Sequence, residues 1–417
     1  MNVTSADRCL PLELTEHVTS RYSRGTLSEA QGAALLAQFG KHVEVEFPTP
    51  KTGGCWELTP KGWVGAFAVD ASLTVVCRPK LPVGNLARML GVVYDLPVES
   101  FGRLVTCATL PDLYDQLAAM LAGEAMRLVR QGLHHAYQSR DERRSAIRGR
   151  ILVCDAMRPS LDPRLPCRFV ERTADVLENR LVLWTLGMVM RSRLCREDTQ
   201  QRVREAYRQF LGAAASTPCV ATDCDRLAYD RLTERYRRAH ALCRLFLDGS
   251  APVAESGETA TVPFLLDIAA LYERFVARWL DQHFRAMGGG YRVEALEYNV
   301  VGQRDGIGFR IDLVIYDPAG RAVCVLDTKY KLGATPAARD LAQVGYYALL
   351  KGCPTAGLVY PGAGTRLWEG MSGPVMTFAV PFALAADLDA AGLRFADQLM
   401  SRLAPRESLR SAAESSV

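Results

Sequence analysis

Late in the chain two acids and an amine lie close together. Asp327-Thr328-Lys329 ends the apolar run Ala322-Val323-Cys324-Val325-Leu326, and Asp312 stands fifteen positions earlier in Arg310-Ile311-Asp312-Leu313-Val314-Ile315. Strand side chains alternate between faces, so Val323, Val325, Asp327 and Lys329 are expected on one face and Cys324, Leu326 and Thr328 on the other. Between the two runs, Asp317-Pro318-Ala319-Gly320 has the residue order of a tight turn. This predicts antiparallel neighbours, with Asp312 across from Val325 or Asp327. One register places both carboxylates on one face, roughly 5–8 Å apart. That separation suits one shared hard cation, and Mg²⁺ characteristically takes one or two carboxylates while water and phosphate oxygens complete its octahedron. Asp312 and Asp327 are the candidate ligands. The chemistry that fits is phosphodiester hydrolysis, in which a bound metal activates water and stabilises developing charge. Lys329 would orient or deprotonate that water and oppose the negative charge.

The elements around the pair must deliver the rest. From Phe264 to Leu280, apolar residues recur at 264, 268, 271, 275 and 279, a helical spacing. Glu273 lies at the margin of that stripe, either as a further acid near the metal or as a solvated helix acid. Asp340 to Leu350 reads as a second helix, on which Gln343 and Tyr347 are four apart and share a face. Both are candidates to touch the substrate phosphate or the attacking water. With seven lysines and 46 acids in 417 residues, an acid two before a lysine arises about once by chance, so the tripeptide alone proves nothing. The ordered set carries the reading: helix with Glu, strand with Asp, turn, buried strand ending in Asp-x-Lys, then helix with Gln and Tyr. The plain alternative is a hairpin whose end carries surface ion pairs, which are common and contribute little.

This set resembles the PD-(D/E)xK nuclease superfamily, and the larger pattern is similar to the McrC family, the nuclease subunits of McrBC-type modification-dependent restriction systems. Arg310-Ile311-Asp312-Leu313-Val314 resembles the family's Arg-Pro-Asp strand, and Leu326-Asp327-Thr328-Lys329-Tyr330-Lys331 its catalytic segment. Gln343 with Tyr346 and Tyr347, then Leu358-Val359-Tyr360-Pro361, resemble the following helix and strand. Arg148-Gly149-Arg150-Ile151-Leu152, Glu178-Asn179-Arg180-Leu181-Val182 and Phe264 to Trp279 look like middle landmarks, and Arg78-Pro79-Lys80 is a weaker match. Ile311 stands where the name-giving proline usually sits. The resemblance implies a Mg²⁺-dependent DNA endonuclease subunit with Asp312, Asp327 and Lys329 catalytic and Glu273 and Gln343 as helpers. It also implies an AAA+ GTPase partner of the McrB type, which recognises modified cytosine in double-stranded DNA, translocates, and is stimulated by the N-terminal region docking on its ring. Two other roles stay open: a scaffold or hydrolysis stimulator with an inactive nuclease domain, and a stand-alone repair exonuclease.

Composition sets the frame. The net charge is +4 and half the residues are apolar, so the chain is long and apolar enough for two or three domains with a core. Arginines outnumber lysines 43 to seven. The cluster Arg140 to Arg150 is a candidate phosphate grip through Arg143, Arg144, Arg148 and Arg150, with Lys331 and Tyr347 as further candidate DNA contacts. The arginines of 226–244 alternate with acids and apolar residues, as on a solvated helix face. Twelve cysteines without a secretory signal or a C-x-x-C pair suggest reduced thiols in a cytosol and no zinc site. The longest apolar run, Leu181 to Met190, is about half a membrane span. No P-loop, H-E-x-x-H or G-x-S-x-G pattern occurs.

The expected class is α+β multidomain. Residues 1–135 read as a β-rich partner-docking domain with strands at 43–47, 63–69, 73–77 and 103–108. Residues 136–255 read as a mainly helical middle, residues 256–400 as a nuclease core whose central mixed sheet is flanked by helices, and 401–417 as a disordered tail.

Overall fold

The computed structural model describes residues 11–96, 102, 104–250, 262–301, 307–331, 335–362, 364 and 367–403, apart from the side chains of 296–301 and 307. The expectations for residues 1–10, for the linker beyond Ser250 and for the tail beyond 403 lie outside these. By contact the chain forms two compact units that alternate along the sequence: residues 1–11, 65–75 and 109–265 in one, and 12–64, 76–108 and 266–417 in the other.

The second unit is built on a six-stranded mixed sheet. In spatial order its strands are Arg292–Val301, Ile307–Tyr316, Ala322–Thr328, Thr355–Tyr360, Val375–Pro381 and Trp368–Ser372. The first two pairings are antiparallel, the next two parallel and the last antiparallel. The central strand Ala322–Thr328 buries Cys324, Val325, Leu326 and Asp327 in succession, as a strand covered on both faces must. The turn at 317–320 forms as expected: Gly320 N–H donates to the Asp317 carbonyl at 2.9 Å, and Gly320 takes φ +78°. A bulge interrupts pairing between Ile315 and Tyr316, so Val323 has no register partner and the alternation predicted from 323 onward starts cleanly only at Cys324. Helix Ala338–Leu350 lies against the sheet through Val344, Tyr347 and Ala348, which join Val314, Val325, Leu358 and Tyr360 in one core.

Helix Ile268–Met287 begins later than its apolar stripe suggested. Phe264–Asp267 is a strand, and the Asp267 side chain accepts the Ala270 N–H at 3.0 Å as an N-cap, while Gly288 in the left-handed region ends the helix. A buried Phe264 sits in phase with the helix by coincidence of spacing, which periodicity alone does not resolve. The same unit holds the antiparallel strands Ser20–Tyr22, Trp56–Pro60 and Val43–Glu46, with helices Glu29–Phe39 and Val83–Tyr94. The strand expected at 103–108 does not form: Leu104 and Val105 are helical.

In the first unit, the helices include Leu110–Arg130, Leu177–Arg191, Glu197–Leu211 and Arg237–Gly249. The apolar run 181–190 is the buried body of one of them, and among the described residues no helix is long and apolar enough to cross a membrane. The same unit also holds a three-stranded antiparallel sheet of Ala136–Arg144, Leu165–Thr173 and Arg150–Ile151. The sequence reading missed it because its first strand is nearly all polar. Cross-strand pairs hold it, Arg168 donating to its register partner Asp141 at 2.6 and 2.7 Å.

Candidate functional site: a carboxylate and lysine cluster at the end of the mixed sheet

Asp312 and Asp327 lie on adjacent antiparallel strands, one step beyond the register pair Leu313 and Leu326, which sets them across from each other. Asp312 Oδ2 accepts hydrogen bonds from the Thr328 backbone N–H at 2.9 Å and from its hydroxyl at 3.2 Å. Thr328 thereby locks one carboxylate while leaving its neighbour open. Asp327 is 2 % exposed, and its Oδ2, 2.7 Å from Lys329 Nζ, has no partner in hydrogen-bond geometry.

The electrostatics follow from this crowding. Burial first, then the nearby Asp312, push the Asp327 carboxyl up to about 6 against the pull of Lys329. Glu273, on helix Ile268–Met287, rises to about 7, again through burial and then Asp312, with Asp327 adding to it and Arg310 opposing. Arg310 holds Glu273 at 3.2 and 3.3 Å. Lys329 is raised: burial alone would lower it, but Asp327, Asp340 and Asp312 outweigh that. Asp312 thus disfavours charge on both Asp327 and Glu273 beside one lysine, a pattern typical of functional clusters.

Of the residues picked out by sequence, Asp312, Asp327, Lys329 and Glu273 come together. Gln343 donates to Tyr347 Oη at 3.0 Å along the same helix face. Lys331 Nζ donates to Asp340 Oδ2 at 2.9 Å. Three contributors went unread. Asp340, nearly buried on the first turn of helix Ala338–Leu350, acts electrostatically on both Asp327 and Lys329. Tyr360 is fully buried with an unpartnered hydroxyl, pushed up to about 12 by burial, Asp340 and Asp327. Thr328 was assigned to the opposite face, yet its backbone and hydroxyl both reach Asp312. The Lys331 to Asp340 spacing of nine carries no signal in the sequence by itself.

The arginine cluster belongs to the other unit. Arg143 donates to the carbonyls of Asp162 and Arg164, Arg144 pairs with Glu142, and Arg148 pairs with Glu171 while lying 4.3 Å from the Phe169 ring centre. Arg150 is exposed. Gly149 sits at φ +70°, where a Cβ would meet the Arg168 carbonyl oxygen at 2.3 Å. Asn179, another sequence landmark, is wholly buried: its amide donates to the His134 and Ala174 carbonyls, and its oxygen accepts the Tyr236 hydroxyl at 2.7 Å. The described cysteines are all free thiols.

Among the described residues no three His, Cys, Asp or Glu side chains close on one point as a complete metal cage. A pair of facing carboxylates, one buried beside the Lys329 ammonium, nevertheless fits a cation that keeps most of its ligands as water and phosphate.

Fold and site together define a multidomain α+β protein with a buried acidic cluster and lysine at the end of a mixed sheet. The chain belongs to the family described as McrBC 5-methylcytosine restriction system component, whose model matches residues 58–361. Among solved structures it is similar to a chain of the refined half-complex from a tetradecameric assembly of Thermococcus gammatolerans McrB AAA+ hexamers with bound McrC. That match has 19% identity and a TM-score of 0.56, and covers 94% of this chain and 100% of that one. A second match, to the McrBC complex of the same organism, has 21% identity and a TM-score of 0.42 over 65% of this chain and 87% of that one. No curated protein matches the chain.

Proposed function

We propose that this chain is a McrC-type subunit that cleaves phosphodiester bonds of double-stranded DNA through a PD-(D/E)xK site in its mixed-sheet unit. The observation that carries the reading is the convergence of Asp312, Asp327, Glu273 and Lys329, with Asp327 buried and its Oδ2 ion-paired with Lys329. Asp312 and Asp327 would hold Mg²⁺, which when bound supplies charge to the phosphoryl oxygens and acidifies water. Lys329, kept protonated by its acidic neighbours, opposes negative charge developing on the phosphate and orients the attacking water. Glu273, with a pKa near neutrality, takes or gives a proton at its carboxyl oxygen, and Arg310 fixes its orientation. Thr328 keeps Asp312 turned toward its partner acid.

Family membership supports the role within a modification-dependent restriction system, and the neighbour's title names McrB AAA+ hexamers with bound McrC. We therefore infer an AAA+ GTPase partner of the McrB type, with base recognition on that partner and docking through the N-terminal region. Lys331, Tyr347 and the arginines at 144, 148 and 150 remain proposed DNA contacts, whereas the Arg143 guanidinium is taken up by the Asp162 and Arg164 carbonyls; Lys331 and Tyr347 adjoin the site's strand and helix. The test is cleavage of modified plasmid DNA by the chain with its AAA+ partner, GTP and Mg²⁺. Asp327→Ala should lower the rate by at least about 10³-fold, in the range of losing a metal-ligand function. Unchanged cleavage by this variant would falsify the site assignment.

A further inference from the structure

Glu16 follows directly on strand Leu12–Thr15, in the same compact unit as the acidic cluster, and none of its side chain is exposed. Its backbone N–H donates to the Arg78 carbonyl at 3.0 Å. Its Oε2 accepts the Lys80 backbone N–H and the Tyr330 hydroxyl, both at 3.3 Å. Its Oε1 accepts nothing, and His17 Nε2 lies 3.7 Å from it. The landmark Arg78-Pro79-Lys80 thus acts through its backbone, as a cradle for Glu16. Burying a carboxylate so poorly compensated is costly, and burial is the main cause that raises its pKa.

What Glu16 reaches explains where that cost is used. Tyr330 stands between Lys329 and Lys331, just past the end of the strand. Three ties hold this segment: the Lys329 N–H to the Val359 carbonyl at 2.9 Å, the Lys331 ammonium to Asp340 at 2.9 Å, and the Tyr330 hydroxyl to Glu16. The Tyr330 ring also packs on that of Tyr272 with centres 5.9 Å apart, and Tyr272 immediately precedes Glu273. One carboxylate therefore braces both the residue after Lys329 and the ring before Glu273. A displacement of about an ångström at a reacting group costs on the order of a hundredfold in rate.

We propose that Glu16 is a positioning residue for the acidic cluster, holding the Tyr330 hydroxyl so that Lys329 and Glu273 keep their places beside Asp312 and Asp327. The inference rests on the hydrolytic reading given above.

The experiment measures plasmid cleavage by the full chain with its AAA+ partner, GTP and Mg²⁺ for Tyr330→Phe, Glu16→Ala, Glu16→Gln and Asp327→Ala. Thermal unfolding and DNA binding are followed for each. Tyr330→Phe and Glu16→Ala should each lower kcat about ten- to a hundredfold with KM little changed. Glu16→Gln, whose amide oxygen can accept the same hydroxyl, should recover most of the rate. The double variant Glu16→Ala with Tyr330→Phe should be no slower than the slower single variant, because both act on one contact. A merely structural Glu16 would lower the unfolding temperature and the folded fraction while leaving kcat per folded molecule intact; that result overturns the proposal. So does wild-type cleavage by Tyr330→Phe alongside an inert Asp327→Ala, which leaves the acidic site standing. Wild-type cleavage by Asp327→Ala removes the hydrolytic reading, and the positioning role with it.

Discussion

The chain carries two concentrations of charge, and they are treated in opposite ways. In and beside the three-stranded sheet, Asp141 meets Arg168, Glu171 meets Arg148, and Asp162 meets Arg164, all at or near the surface. Each acid there has a cation at hand, and Asp162 titrates low, at about 2, through its hydrogen bonds to Arg164. At the end of the mixed sheet the balance is reversed. Acids are buried beside other acids, Asp327 and Glu273 are pushed up to about 6 and about 7, and Asp327 Oδ2 has only Lys329 near it. Surface pairs satisfied within the chain add shape and little energy. A buried, underneutralised cluster costs stability, and such clusters gather at functional sites, where a cation can complete them.

The sharpest way to break this contrast is at the lysine. Lys329→Ala should lower DNA cleavage by about 10²–10³-fold, as losing one charge stabiliser does, with the folded state retained; cleavage within a few-fold of wild type would place Lys329 among ordinary ion pairs.

A second test separates structure from chemistry within the sequence landmarks. Asn179→Ala removes the partners of two carbonyls and a buried tyrosine hydroxyl. It should cost about 2–4 kcal/mol of stability by denaturant unfolding. Its catalytic rate per folded molecule should stay at wild type, and a large fall in that rate would move Asn179 out of a structural role.

The third concerns pH. The folded-state pKa values of Asp327 and Glu273 lie above their ordinary values of 3.8 and 4.5. The folded chain therefore holds protons that the unfolded chain has released, and stability falls as pH rises from about 4 through about 7. The loss is on the order of 3 kcal/mol per group as an upper bound, since the groups are coupled. Urea midpoints should be higher at pH 5 than at pH 8, Glu273→Gln should flatten the slope, and Mg²⁺ should recover stability at pH 8 by mass action. A midpoint indifferent to pH and to Mg²⁺ would count against an underneutralised cluster.

The smallest effects belong to the arginine sheet. If exposed Arg150 meets DNA phosphate, Arg150→Ala lowers the log–log salt slope of DNA binding by about one, whereas Arg143→Ala, whose guanidinium serves two carbonyls, leaves it unchanged. Equal slopes for both variants and wild type would assign the whole sheet to structure.

Much of the site was legible because it is local. A turn of defined residues narrowed the register of two strands to placing Asp312 across from Val325 or Asp327, and the folded register, shifted by a bulge, sets it across from Asp327. Helix periodicity likewise placed Glu273 near the stripe's edge, though it overran the start of the helix by including Phe264. What stayed hidden depends on contacts between segments far apart in the chain. The strand Ala136–Arg144 has no apolar alternation and exists through its partner at 165–173. Asp340 matters because its helix returns to the sheet, and Glu16 because Arg78 and Lys80 carry it to Tyr330. The sequence by itself determined which side chains are available and which near neighbours share a face, since those follow from the two-residue and 3.6-residue repeats. Only the tertiary structure decided which charges are left uncompensated, because desolvation and the field of distant groups arise from burial that no short stretch of chain encodes.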